Sequence, residues 1–350
     1  MSHPEYSTCS IHYFSGTGNA RRAAEWLADA FRSYGTKTSV SMLSEAESEP
    51  DSGADENRLL GFCFPTHGFN APPIILNYLA SLPRGTNDVF LLNTRGGTKL
   101  GPIFFPGLSG VALLIPALIL LSKGYKIRAM HPLDMPSNWL SLHPALRGNA
   151  VTAITRRCRR ICTRVAGKIS EKKRLYRWFF ELPLDLCISP VSVLYYFIGR
   201  YALAKTFIAT PACNHCGLCV KECQLGAVRF KNGNPFWTYQ CESCMHCLNS
   251  CPERAIQTMH GVTILLWGLL LMGLPWLLVS GVATVFHLQV GFSTVSLILW
   301  LLASVVLLLP LGLSYRLIHY LMRFRPFAAL VSYTSLTRYR WWGRYRPGSD

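Results

Sequence analysis

The first 150 residues alternate between two rhythms of apolar spacing. Ser7 to Phe14 reads as a buried strand, Gly16 to Gly18 as the turn after it, and Ala20 to Phe31 as an amphipathic helix. Thr38 to Leu43 is a second strand. Leu59 to Phe64, Val89 to Asn93 and Tyr125 to His131 supply three more, separated by helical patterns. Strand and helix in alternation predict an α/β domain built on a doubly wound parallel sheet covered on both faces. Ser44 to Asn57 breaks the rhythm with six acids, Pro50 and Gly53, and reads as a polar loop.

From Ala150 to Trp178 the chain turns helical and basic, with ten Lys or Arg between Arg156 and Arg177 against one acid, Glu171. Phe179 to Phe207 is apolar but interrupted by Glu181, Pro183, Asp185, Pro190 and Arg200. A packed or interfacial segment is expected there, not a membrane span. Cys213 to Val228 then repeats as Cys241 to Ile256, cysteine for cysteine, with Asn232-Gly233 in a hairpin setting between the halves. Val262 to Phe286 and Gly291 to Tyr315 each hold 25 residues without a formal charge. A helix needs ~20 to cross hydrocarbon, so a transmembrane hairpin turning near His287 is expected, buried core helices being the alternative.

Composition narrows the partners. The chain of 350 residues is half apolar, with 15% charged residues and a net charge of +17. Such a balance suits a polyanion: nucleic acid, acidic protein or anionic lipid. The run Arg156-Arg157-Cys158-Arg159-Arg160 lacks interleaved aromatics, which argues against nucleic acid and for lipid headgroups or an acidic redox partner. Met1 to Ser10 shows no basic-then-apolar leader, and seven arginines against one acid follow Tyr315. An even number of crossings with that basic tail predicts a multi-pass inner-membrane protein whose soluble parts and tail lie on the cytoplasmic side. His260 and His319 bracket the two spans. They are either interfacial side chains or a pair for haem or quinone.

Eight of the thirteen cysteines fall within 39 residues, and the other five (Cys9, Cys63, Cys158, Cys162, Cys187) are scattered. That distribution indicates metal ligation in a reducing compartment and not a disulfide scaffold. Each half of the repeat reads Cys-x-x-Cys-x-x-Cys-x-x-x-Cys. Three thiolates in one tight loop grip three corners of a cubane, while the fourth crosses to the other cluster in the bacterial two-cluster pattern. The expected [4Fe–4S] sets are Cys213, Cys216, Cys219 and Cys251, and Cys241, Cys244, Cys247 and Cys223. Zinc also uses Cys-x-x-Cys pairs, but a duplicated 2-2-3 spacing is not a zinc-ribbon pattern. Thr206 to Met259 resembles the two-cluster ferredoxins. Pro252 follows Cys251 as in that family, whereas Gln224 replaces the proline after Cys223, a departure expected to loosen the turn. His215 and His246 are expected at the surface, tuning potential.

The turn Ser15-Gly16-Thr17-Gly18-Asn19 follows a strand and opens a helix, a ready phosphate cradle. It resembles the phosphate loop of flavodoxins. Pro65-Thr66-His67-Gly68 ends the third strand and Asn93-Thr94-Arg95-Gly96-Gly97 the fourth, so the three loops converge at the strand ends where a doubly wound sheet binds ligand. The resemblance implies FMN, the alternative being a flavodoxin-like shell without flavin. The order of parts over residues 1 to about 259, including Met135-Pro136-Ser137-Asn138-Trp139, is similar to the EFR family of flavodoxin–ferredoxin fusions. Pro102 to Leu121 departs from it: an amphipathic helix is due there, yet the segment has no charge and is expected to lie against the bilayer or the hairpin.

Five parts follow: 1–147 flavodoxin-like, 148–205 a basic then apolar helical linker, 206–259 a small α+β ferredoxin domain, 260–320 two transmembrane helices, and 321–350 a basic tail. The resemblance implies a membrane-anchored relay of electrons between FMN, two clusters and a partner redox enzyme. A quinone-reducing oxidoreductase and a structural anchor subunit with an empty flavin site are the alternatives. No general acid/base pair or nucleophile elbow marks a hydrolase or transferase.

Overall fold

The structure is a computed structural model that describes residues 5–43, 57–269, 276–277, 280–281, 310–343 and 345–346. All of the acidic loop expected at Ser44 to Asn57 except Asn57, and most of both expected membrane spans, lie outside the described residues.

Six strands and four helices build the first domain: β1 (Thr8–Tyr13), α1 (Asn19–Ser33), β2 (Lys37–Met42), β3 (Arg58–Pro65), α2 (Pro73–Ser81), β4 (Asp88–Leu100), β5 (Ile103–Phe105), α3 (Leu114–Ser122), β6 (Lys126–Pro136) and α4 (Gly148–Ser170). The parallel strands run β2-β1-β3-β4-β6, which is the flavodoxin-like 2-1-3-4-5 order once the short β5 is set aside. One face of the sheet packs α1 and α4 through residues such as Leu27, Phe31, Ile154 and Ile169. The other packs α2 and α3 through Ile75, Leu79, Ala117 and Leu120. β3 and β4 are central and buried on both sides, which is why they read as continuous apolar runs.

Two expectations needed correction here. β4 does not stop at Asn93 but continues through Gly97 to Leu100, where it turns back into an antiparallel pairing with β5. Pro102 to Leu121 is consequently not one helix: only Leu114 onward is helical, after a strand and a turn. Pro106 and Gly107 break the helical pattern that the apolar composition suggested. Leu118 and Leu121 remain exposed, while Leu114 is half-buried against the core.

The segment expected to be a linker is an integral part of the domain. A 3₁₀ turn (Arg177–Glu181), α5 (Leu182–Leu194), a π turn (Tyr195–Gly199) and α6 (Arg200–Ala204) form a continuous helical run. Among the described residues it is the helix long and apolar enough to cross a membrane. Three of its polar residues, however, are turned onto the flavodoxin-like domain. Glu181 pairs with Arg95, Asp185 Oδ1 accepts from the Ser109 and Gly110 amides (3.1 and 2.7 Å), and Ser192 donates to the Phe69 carbonyl (3.0 Å). These ties hold the run along the domain, with an apolar face outward that includes Leu184, Val193 and Phe197.

The cysteine domain joins β7 (Phe207–Ala209) to β10 (Ile256–Thr258) and carries α7 (Leu218–Lys221), the hairpin β8 (Val228–Lys231) to β9 (Asn234–Trp237), and α8 (His246–Ser250). Asn232 and Gly233 form the hairpin turn with φ of 55° and 82°. Among the described residues, α9 (His260–Gly268), α10 (Pro310–Leu321) and α11 (Arg325–Tyr333) follow. The tail returns to the core. Ser335 donates to the Thr258 carbonyl (2.6 Å), Trp342 Nε1 to Leu140 (2.6 Å) and the buried Arg346 to Leu248 (3.0 Å).

Candidate functional site

Beyond β1, the chain turns through Ser15 to Gly18 into α1. Gly18 caps the helix at φ 86°, which glycine adopts without a Cβ penalty. No side chain caps the first turn, so its amides and the positive end of the helix dipole face outward. A Cβ placed on Gly18 would meet nothing within 4 Å, so the space before the helix is open. Asn138 donates to Thr17 Oγ1, and Asn19 donates to the Pro136 carbonyl (2.9 Å). The chain beyond β6 therefore holds the loop in shape.

The strand ends enclose a pocket of ≈350 Å³, within the ~300–1,000 Å³ usual for cofactor sites. Ser15, Gly16, Thr17 and Asn19 form one wall; Pro65, Thr66, His67 and Gly68 form the second; Thr94, Arg95 and Gly96 form the third. Gly18, Asn93 and Gly97 are not on the lining. Asn93 turns inward and donates to Thr66 Oγ1 (2.7 Å) and Ser109 Oγ (3.1 Å), while Gly97 packs on Asp134. The Arg95 guanidinium is buried and committed to Asp134 (2.7 Å) and, through two nitrogens, to Glu181. It braces the wall and is not a free cation for a ligand. Burial lowers the His67 pKa to about 4, so the ring is neutral. Its Nδ1 finds no hydrogen-bond partner among the described residues. An open helix start beside an orphaned buried nitrogen fits a phosphorylated, polar-edged cofactor.

The two halves of the cysteine repeat share a backbone. His215 and Gly217 in the first, Ser243 and Met245 in the second, all have positive φ. Such alternation turns successive amides inward, a concave arrangement suited to anionic sulfur clusters. Cys213, Cys216, Cys219 and Cys251 line one cavity, joined by Cys247 from the other set; Cys223, Cys241, Cys244 and Cys247 line another, joined by Cys219. Donors already point at sulfur in the second: Ser243 N to Cys241 (3.4 Å), Ala227 N to Cys223 (3.2 Å) and Trp237 Nε1 to Cys247 (3.3 Å). Cys241 and Cys247 are buried, whereas Cys216 is exposed, so one cavity is inner and one outer. Burial pushes the Cys244 thiol up to about 12 and Cys219 to about 11, so loading iron must displace protons.

The inner cavity adjoins the phosphate loop. Ser243, Cys244 and Met245 form a fourth wall of the 350 Å³ pocket. Gln224 Nε2 donates to the Ser15 carbonyl (3.2 Å), and His246 Nδ1 donates to Gly16 (2.8 Å) while its Nε2 lies 3.0 Å from Glu222. Gln224, which stands where the family has proline, ties the two domains. His246 is not a free surface residue, whereas His215 is exposed. Trp139 and Leu142 also line the pocket. The half-buried Tyr195 ring meets Trp139 edge-on at 5.8 Å and covers Gly68, where a Cβ would lie 2.0 Å from it. Sequence reasoning missed Tyr195 and the 243–245 wall, because their contacts span more than 50 residues. His260 Nδ1 accepts from Leu336 N (3.1 Å), which places the ring proton on Nε2, donating to Ser141 (3.0 Å). That use of both nitrogens excludes His260 as a haem ligand in this arrangement. His319 donates to the Pro235 carbonyl (3.2 Å).

Residues 212–256 match the 4Fe-4S dicluster domain family, so this segment is the site of the two [4Fe–4S] clusters. Three solved structures similar to the chain are oxidised flavodoxin 1 from Bacillus cereus (14% identity, 47% of this chain and 98% of that one, TM-score 0.34), general stress protein 14 from Treponema denticola in complex with FMN (13%, 47% and 98%, 0.30), and NAD(P)H:quinone oxidoreductase from Methanothermobacter marburgensis (15%, 46% and 99%, 0.29). No curated protein matches the chain.

Proposed function

We propose that the chain is a membrane-anchored electron relay of the EFR type, with FMN in the 350 Å³ pocket and its phosphate at Ser15 to Asn19. Cys223, Cys241, Cys244 and Cys247 hold the inner cluster, and Cys213, Cys216, Cys219 and Cys251 the outer one. The observation that carries this reading is the shared wall: the inner-cluster loop Ser243 to Met245 lines the same pocket as the phosphate loop. FMN supplies two-electron exchange, and the clusters carry electrons singly. The chain's part is placement. Gly16 lets the cysteine loop approach, while Gln224 and His246 pin that approach by hydrogen bonds to successive carbonyls. The outer set, with exposed Cys216, is where a partner redox protein exchanges electrons.

Anchoring is the second element. The two ends of the long apolar stretch return to one body. Gly261 N donates to Thr334 (3.3 Å), and Tyr315 Oη to Phe207 (3.2 Å). That closure supports a hairpin with the soluble domains and tail on one side, which the basic tail makes the cytoplasmic side. Anaerobic purification of the full chain in detergent, with iron, sulfide and flavin quantified together, tests the reading. About eight irons, about eight sulfides and one FMN are expected. A chain that contains no flavin and takes none up is an iron–sulfur anchor subunit and not a relay.

A further inference from the structure

A cleft of ≈1220 Å³ opens along the edge of β6, between α4 and the segment 174–181. One wall carries Arg157, Arg160, Arg164 and Lys168, spaced to share one face of α4; the other carries Arg174 and Arg177. Two carboxylates also line it, Asp134 and Glu181, but the buried Arg95 holds both. Among the described residues none of the six cations has a carboxylate within ion-pair distance. The imidazole of His131, buried and with an unpartnered Nδ1, lies on the lining as well. Six unneutralised cations in one cleft repel one another, and a bound anion removes that cost. At the mouth stand Phe179 and Phe180, 65% and 88% exposed. From them α5 runs off with Leu184, Leu186, Val191 and Leu194 exposed. Cations grading into an apolar helix face match an amphiphile better than a soluble anion.

We propose that this cleft is the headgroup site of an anionic phospholipid whose acyl chains lie along the outward face of α5. The proposal rests on the membrane-bound reading above and adds to it a defined lipid site. It explains why a helix apolar enough to span is tied lengthwise to the domain by Glu181, Asp185 and Ser192: it lies in the interface plane and presents its free face to the acyl region.

The test uses the full chain in detergent, by native mass spectrometry and thermal shift, with phosphatidylglycerol, phosphatidylcholine or inorganic phosphate added. Wild type should retain one phosphatidylglycerol in preference to phosphatidylcholine, with a Tm raised by the anionic lipid alone. Arg160→Gln/Arg164→Gln/Arg174→Gln should lose at least tenfold in that affinity with unchanged iron and sulfide. Arg323→Gln/Arg325→Gln should not. Equal retention of the two lipids, or of phosphatidylglycerol by the triple variant, overturns the proposal and leaves the cleft to an acidic protein surface. Displacement of the lipid by millimolar phosphate overturns it in favour of a soluble anion. A chain that stays in the aqueous phase without detergent sinks the membrane reading instead, whatever the cleft retains.

Discussion

Gly16 of the phosphate loop lies against Cys244 of the inner cysteine loop so closely that a Cβ on the glycine would sit 2.4 Å from the cysteine carbonyl oxygen. The phosphate loop and the inner cysteine loop thus meet at one residue without a side chain. Gly16→Ala must move one loop, at an overpacking cost of ~1–3 kcal/mol. Gly18→Ala, where the space is open but φ is positive, strains the backbone alone by ~1–2 kcal/mol. The expected difference is that Gly16→Ala perturbs the low-temperature spectrum of the inner cluster while Gly18→Ala does not. Identical spectra for the two variants would mean that the domains do not touch at this point.

Cys251→Ser should damage the outer cluster, although Cys251 belongs to the second half of the repeat, because it lines the cavity of Cys213, Cys216 and Cys219. Spectroscopy that shows the inner cluster lost instead would overturn the crossed ligand sets.

Thr17→Ala removes a hydroxyl at the phosphate loop and strands the Asn138 amide that donates to it. FMN affinity, followed by flavin fluorescence on titration into deflavinated protein, should fall by ~1.5–3 kcal/mol, about tenfold to a hundredfold. Unchanged affinity would place the phosphate elsewhere.

Asp185→Ala leaves the Ser109 and Gly110 amides without their acceptor, at ~1–3 kcal/mol for each buried group. The run 177–204 should loosen from the domain, with faster proteolysis inside it and a lower unfolding midpoint. Ser189→Ala, on the exposed side, is the control. Equal protease resistance would show that apolar contact alone holds the helix.

Acid should destabilise the flavodoxin-like domain through two buried histidines. Burial lowers both His67 and His131 to about 4, below the ordinary histidine value of 6.5. Between those values the unfolded chain binds more protons than the native one. Stability is therefore fully present above pH ~6.5 and falls by ~1.4 kcal/mol per histidine for each unit of acidification towards 4. Denaturation midpoints measured over this range should decline less steeply in His67→Leu. A parallel decline would mean that His67 is not held neutral.

Much of this protein is legible along the chain because it depends on neighbours in sequence. Tight backbone turns need Gly18 and Asn232-Gly233 locally, and strand–helix alternation is a period within each segment. The cysteine repeat carries its chemistry in its spacing, which the match at 212–256 reflects. What tertiary structure decided lies between distant segments. No local signal says that β4 continues through Asn93 to Leu100, since its extension is set by pairing with β5 and β6. Glu181, Pro183, Asp185 and Pro190 read as interruptions of an apolar run. Only the fold shows that Glu181 and Asp185 are docking points, satisfied by Arg95 and by two loop amides some 75 residues away. The fourth wall of the pocket follows the same logic. Ser243 to Met245 is written as a cysteine loop, and it becomes part of the pocket at the strand ends because Gly16, Gln224 and His246 bring two separately encoded domains into contact. Apolar and cysteine patterns state what each segment must bury or bind, whereas the partner it meets is set by packing across the whole chain.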